Sequence, residues 1–579
     1  MAGEAGTGCF PSSYEYRLTG GGVKLAVNYE MPSNWEGMNS SSLVWFHLIL
    51  PKDLGSLTQG QSLFSHAESC TSSPPTLELA MNWINNCRTY HPECRQLQKE
   101  ENWWPTRLID IGNEGDGRWK LVSLPDKPQP PPSYMTLSHR WGSKNNFRLL
   151  KKNLYSFQNG LPIADLPRTF QDACSVAWRF SVKFLWIDAL CIIQDSSEDW
   201  SRESAAMRLV YANALCNLAA VASTDPHGGL FRSRNMEDLQ PSIVRAALDK
   251  STPPEDYYAI DSDYTNHQLL DKELLKRGWV FQERLLSPRV LYFADKQVFW
   301  ECFTEQRCEA FPHGIPPLGR SKCESLSIIT GTRKMALASE KRPAVEIARE
   351  WGKLVQDYTD CELTKASDRL HAIEGVVDLF RKAFHDTYIF GLWKTELARQ
   401  LGFYVKSPRK DLPSHYVAPS WSWASLQSPV EFEPHSCWPD TTEHVSVLDL
   451  SPTDGTLTLR GPLFTAKIDK GSRYNPVSLV SDNARIPAQI FLDRVGEQVN
   501  MPEIITLLPL ISHWSVSGPM TGLGCLVLEP ILVTVSRYYR RIAYIKFAQG
   551  QDLAFFGMTV LADGSAKIGK VAPSIISLM

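Results

Sequence analysis

Between residues 134 and 221, short apolar runs alternate with stretches patterned at helical spacing. Residues 134–138 (YMTLS), 184–188 (FLWID) and 215–221 (LCNLAAV) have the length and near-continuous apolar character of strands buried on both faces. Residues 146–155 and 167–180 (PRTFQDACSVAWRF) predict helices between them. The second opens with proline, which suits a first helical turn because it lacks an amide hydrogen. A third helix is predicted from the polar loop 194–199, where Ser196, Ser197 and Asp199 can cap it, to residue 213. Strands and helices alternating at this spacing predict an α/β fold with a parallel sheet.

Farther on, 271–286 reads as a helix, and 290–293 with 298–301 as two strands joined by the Asp295-Lys296 turn. Helical patterns return at 343–358, 368–380 and 390–401, and alternating runs at 445–450, 456–459, 542–547 and 553–561 predict a β-rich tail. Before the α/β segment, the clearest helix is 77–87 (LELAMNWINNC); 111–119 is polar and turn-rich, and Gly20–Gly22 reads as a flexible turn. Residues 125–133 (PDKPQPPPS) form a proline-dense spacer that admits neither helix nor interior strand. The expected organisation is therefore a helical or irregular segment over 1–133, an α/β domain over 134–302, a helical extension over 303–429 and a β-rich region over 430–579.

A chain of 579 residues, 43% hydrophobic, has ample material for several cores. With 60 Lys+Arg against 63 Asp+Glu it carries no field that would gather nucleic acid. The apolar runs 184–193 and 525–535 are too short to span a bilayer, and no secretory start is visible. A cytoplasmic protein without nucleic-acid or membrane partners is expected. Thirteen cysteines without a CxxC pair read as reduced core residues. Eighteen tryptophans suggest thick aromatic cores or a large apolar pocket.

No phosphate loop, zinc-protease helix, nucleophile elbow or dinucleotide fingerprint is present. The informative carboxylate is Glu203, which lies on the stripe of Trp200, Met207, Val210 and Tyr211. Such a group reaches back to free amides in the helix's first turn, pairs with a structural arginine, or lines a cleft. Ligands of open parallel sheets bind beyond the carboxyl ends of the strands. That rule selects Ser138, Arg140 and Trp141 after the first strand and Asp188 after the second. A second charged group, Arg277 with Gln282, Glu283 and Arg284, sits on the 271–286 helix and can pair with the first. Cys87, His91 and Cys94 carry zinc-ligand chemistry with Cys70 as a fourth, but their spacing matches no standard module and no metal is assigned. Residues 536–541 (SRYYRR) interleave bases and aromatics as single-strand binders do, and within a β-rich tail they read as an amphipathic edge strand.

Residues 134–142 (YMTLSHRWG), 166–220 and 277–302 resemble, in order, the opening, central and closing blocks of the fungal heterokaryon-incompatibility (HET) domain. Residues 367–374 (SDRLHAIE), 391–393 and 418–425 (APSWSWAS) are similar to the usual downstream region of such proteins. The resemblance implies a role in fungal non-self recognition and programmed cell death, with self-association or an activating protein partner. It further implies a TIR-like parallel-sheet domain, and some TIR domains cleave NAD with one glutamate. By that likeness NAD is the substrate, Glu203 matches the glutamate, Asp188 supports it, and no cofactor is assigned. Some chains of the family are encoded among natural-product genes. This gives the alternative of a terpenoid or polyketide cyclase, of pericyclic type, that holds its small-molecule substrate in an apolar pocket.

Overall fold

The computed structural model describes residues 11–19, 22–30, 41–50, 68–96, 103–123, 132–142, 147–247, 253–315, 321–326, 329, 343–409, 416–433, 441–469, 478–481, 484–494, 502–515, 518–533, 536–548, 556–560, 566–569 and 571–579. Most of the proline-dense spacer lies outside these residues. The chain divides into two compact units, one of residues 1–276 and 283–332, the other of 277–282 and 333–579.

The first unit is built on a nine-stranded sheet. Its centre is four mutually parallel strands, Tyr134–Ser138, Phe184–Ile187, Asn217–Ala219 and Arg289–Phe293. Across the sheet they run 184–187, 134–138, 217–219, 289–293. In chain order that is 2-1-3-4, as in doubly wound sheets, and the order reverses between 134–138 and 217–219. Strands 134–138 and 289–293 are buried at every position, as their apolar sequences require.

The sheet is mixed, where a parallel one was expected, and the expected strand pair 290–293 and 298–301 is present within it. Val298–Cys302 and Gln306–Cys308 extend it antiparallel on one side. Arg107–Asp110 and Arg118–Ser123 do so on the other, followed by Leu161–Pro162. The segment before the spacer is likewise more than helix and irregular chain. Pro11–Thr19, Gly22–Glu30 and Ser41–Ile49 form an antiparallel sheet with Glu255–Asp261 and Ser242–Ala246.

Helices Arg168–Arg179 and Ser197–Asn213 connect the first three parallel strands. Ser196 caps the second, its hydroxyl accepting from the Asp199 amide at 3.4 Å. Ser196→Ala should lower stability by about 1 kcal/mol in urea unfolding, the usual loss for an N-cap oxygen. The expected 146–155 helix is instead a single turn at Lys151–Asn153 followed by Leu154–Asn159. The expected 271–286 helix begins only at Gly278, and a π-turn, Asn266–Leu270, precedes it.

In the second unit, helices Pro343–Thr359 and Glu374–Phe384 stand close to expectation, the latter after two 3-10 turns. The expected 390–401 helix is replaced by the short strand Leu392–Trp393 and the turn Leu397–Gln400. Gly391 explains the difference. Its φ is +95°, and a Cβ there would lie 2.6 Å from Trp423 Nε1. Its carbonyl accepts from the indoles of both Trp351 (3.0 Å) and Trp423 (2.8 Å), so the aromatic core sets the backbone. The β-rich region is present as an eleven-stranded sheet around the long strands Ile504–Ser515, Gly518–Val533 and Ser536–Ala548. Ser536–Ala548 is an interior strand and not an edge, pairing with Gly518–Val533, Gln489–Leu492 and Ser574–Leu578. Arg541 is buried there against Asp493 at 3.0 Å.

Candidate active site at the strand ends

The ends of the parallel strands hold a connected polar group. Ser138, last in its strand, donates to Glu283 at 2.5 Å and receives Asn217 Nδ2 at 2.9 Å. Thr136, two residues earlier on the same face, donates to Asn217 Oδ1 at 3.0 Å. Tyr211 lies beside Ser138 and Glu283 and packs edge-on to Trp186. Burial first, then the charges of Glu283 and Asp188, push its phenol well above the ordinary value, so it remains a proton donor at neutral pH. Ser138 and Glu283, selected from distant blocks of sequence, are thus brought together.

The second part of the site lies one strand over. Asp188 opens a helical turn directly after strand 184–187. One carboxylate oxygen accepts from Trp141 Nε1 at 2.8 Å. The other accepts from the Ala189 amide at 2.7 Å and stands 3.6 Å from His139 Nδ1. His139 stacks on Trp141 and meets Phe170 edge-on. The backbone of this motif needs its glycine: Gly142 has φ +70°, and a Cβ there would lie 2.8 Å from Asp225. Asp188 keeps 21% of its side chain exposed, whereas Glu283 is buried. It is therefore the carboxylate of this group that solvent or a small molecule reaches.

Glu203 is 1% exposed and belongs to an ion-pair cluster. Arg107 Nη2 lies 2.5 Å from Asp199 and 3.5 Å from Glu203, and Arg202 contacts both acids. Arg107 also donates to the Cys191 carbonyl at 2.6 Å. The structural-arginine alternative accounts for this environment. The stripe itself needs correction at one end, because Trp200 is 36% exposed and Asp199 takes the buried position on Arg107.

Arg140 pairs with the exposed Glu273. Arg277 and Gln282 belong to the second unit, where Arg277 bridges to Glu362 and the Gln282 carbonyl oxygen accepts from the Gly375 amide at 3.3 Å. Arg284 turns to Glu301 and not to the strand-end acids. Cys87, His91 and Cys94 converge, but their fourth neighbour is Cys302. Cys70 instead bridges to Ser233. Sequence reasoning missed Arg107, Tyr211 as a polar partner, and Cys302.

Many of the described tryptophans pack in cores, Trp83 against Trp300 at 6.5 Å and, in the second unit, Trp351 against Trp393 at 5.6 Å, whereas Trp200 is exposed. A cleft of about 210 Å³ in the second unit is lined by Arg349, Lys353, Gln356, Arg399 and Glu431 among others. None of the residues selected from sequence lines it. Among the described residues, no helix is long and apolar enough to cross a membrane. Residues 134–283 match the model of the family described as Heterokaryon incompatibility protein (HET). No curated protein and no solved structure matches the chain.

Proposed function

We propose that this chain, whose residues 134–283 are a heterokaryon incompatibility domain, acts as an effector of fungal non-self recognition that triggers cell death once engaged by a partner or a second copy. We further propose that the effector step is cleavage of NAD at the strand ends, with Asp188 as the working carboxylate. Its partial exposure at the carboxyl end of strand 184–187, one strand from the reversal of strand order, carries this reading. In such a step the bond between nicotinamide and ribose breaks, and its electron pair leaves with the nicotinamide. The oxocarbenium-like ribose is stabilised by the carboxylate until water adds. Trp141 Nε1 holds Asp188 in place. Glu203 has less support as the working group, because Arg107 and Arg202 already surround it. A tailoring cyclase has less support still, because the tryptophan richness that suggested it goes largely into cores, as at Trp83, Trp300, Trp351 and Trp393.

The test is inducible expression in a filamentous fungus with enforced dimerisation, reading growth and extracting NAD for chromatography. Wild type should arrest growth as NAD falls, and Asp188→Asn should abolish the NAD loss without lowering the melting temperature. Normal growth of dimerised wild type would overturn the effector reading. Growth arrest with NAD intact would overturn the NAD step alone.

A further inference from the structure

We propose that Cys87, His91, Cys94 and Cys302 form a structural zinc site that clips the 74–90 helix to the end of the 298–302 strand. Among the described residues they are the group of metal-ligating side chains that converges, with all four ligand atoms within 4.8 Å of one another. Tetrahedral zinc with sulfur at about 2.3 Å places its sulfurs about 3.8 Å apart, so only small side-chain movements close the shell.

The fold builds the site from local rules. Cys87 stands in the last turn of helix Pro74–Tyr90, and His91 is its C-cap, donating its amide to the Cys87 carbonyl at 3.1 Å. Pro92 then breaks the helix, and the turn Glu93–Gln96 brings Cys94 back. Cys302 closes strand Val298–Cys302, and packing of Trp83 on Trp300 holds helix and strand together. The Cys302 sulfur lies 3.5 Å from His91 Nδ1.

The surroundings fit thiolates and a metal-bound imidazole. Arg289 Nε donates to Cys87 Sγ at 3.2 Å, and the Thr304 amide to Cys302 Sγ at 3.4 Å. Thr304 Oγ1 lies 3.6 Å from Cys94 Sγ. With Nδ1 turned to the sulfurs, His91 Nε2 faces Glu305 Oε2 at 3.9 Å, beyond hydrogen-bond distance, and that oxygen is held by Arg307 at 2.6 Å. A small movement on metal binding would bring in the outer carboxylate that orients zinc-bound histidines. Other cysteines, such as Cys174, Cys191 and Cys216, are buried without joining this group. Three cysteines and one histidine fill a tetrahedral shell and select zinc over hard cations, so the ion holds structure and leaves no position for substrate. The three cysteines are buried while His91 is partly exposed, which gives the ion an entry path.

The full chain, purified from zinc-supplemented cells without chelator, should carry about one zinc per molecule by elemental analysis. Cobalt exchange should give the thiolate-to-cobalt charge-transfer and tetrahedral d–d bands. Cys302→Ser should lose the ion, Cys70→Ser should retain it, and Glu305→Gln should weaken zinc binding by about 10–100-fold in chelator competition. The conservative Glu305 variant keeps the test open should Cys302→Ser fail to fold. Folded wild type without stoichiometric zinc and without cobalt bands would overturn the proposal. So would a disulfide among Cys87, Cys94 and Cys302, or full retention of zinc by folded Cys302→Ser.

Discussion

Glu301→Gln is expected to lower the stability of the first unit by about 3–5 kcal/mol, the range for breaking a buried ion pair from one side. Glu301 is fully buried on the 298–302 strand. It accepts two bonds from Arg284, at 2.9 and 2.7 Å, one from Tyr292 at 2.5 Å and one from the Lys322 amide at 2.7 Å. Lys322 is buried nearby, its ammonium on the Ser287 carbonyl at 2.6 Å. Loss of the carboxylate leaves both cations in the interior without a counter-charge. Burial pushes the Glu301 carboxyl up, but Arg284 outweighs burial and Lys322 adds to it, holding the group at about 2. Because the folded pKa is depressed, this stabilisation is complete above the ordinary value of 4.5 and is lost as pH falls from there through about 2. Urea titrations should therefore show wild type losing roughly 3 kcal/mol of stability over that window through this group, and the variant lacking that component. A double replacement, Arg284→Met with Glu301→Leu, should recover the part of the loss due to Arg284, with Lys322 still without its counter-charge. If Glu301→Gln unfolds at the wild-type urea midpoint, the cluster does not stabilise the fold.

The elements that could be found from sequence are those whose local pattern and tertiary role agree. Strands 134–138 and 184–187 are apolar because both faces are covered, and helix 197–213 announces its start with Ser196. Of the antiparallel additions, the apolar 298–302 strand was legible with its turn, whereas those at 107–110, 118–123 and 306–308 were hidden because they are short and charged, as in RLID at 107–110. The first hairpin did leave a signal. Two alternating runs, 11–19 and 22–30, flank Gly20 and Gly21, which lie outside the described residues, and Thr19 pairs with Gly22. At 390–401 good helix formers yielded to the Gly391 backbone, whose carbonyl accepts from the indoles of Trp351 and Trp423. The strand-end positions of Ser138 and Asp188 were legible because the order of parallel strands fixes where their loops emerge. Cys302 and Arg107 escaped because each meets its partners only through the fold: Cys302 meets Cys87 from some 215 residues away. No local period encodes such a meeting.

Arg107→Met is the complementary case, in which one cation is removed from between two acids, and it should also cost about 3–5 kcal/mol. Arg107 lies within 3.5 Å of both Asp199 and Glu203, and both acids are buried. Arg202 compensates only in part, since half its side chain is in solvent and screened. Asp199 also accepts from the Ile193 amide at 2.8 Å and so fixes the loop between strand 184–187 and helix 197–213. Displacing it would disturb that connection near Asp188. Glu203→Gln should be milder, about 1–2 kcal/mol, because Arg107 keeps Asp199 as its nearer partner. The two variants together separate the roles of Glu203. If Glu203 only neutralises Arg107, then activity in the two variants falls in step with their urea midpoints. Loss of the proposed NAD cleavage in Glu203→Gln beyond what its urea midpoint accounts for would instead make Glu203 the working acid and leave Asp188 to hold Trp141.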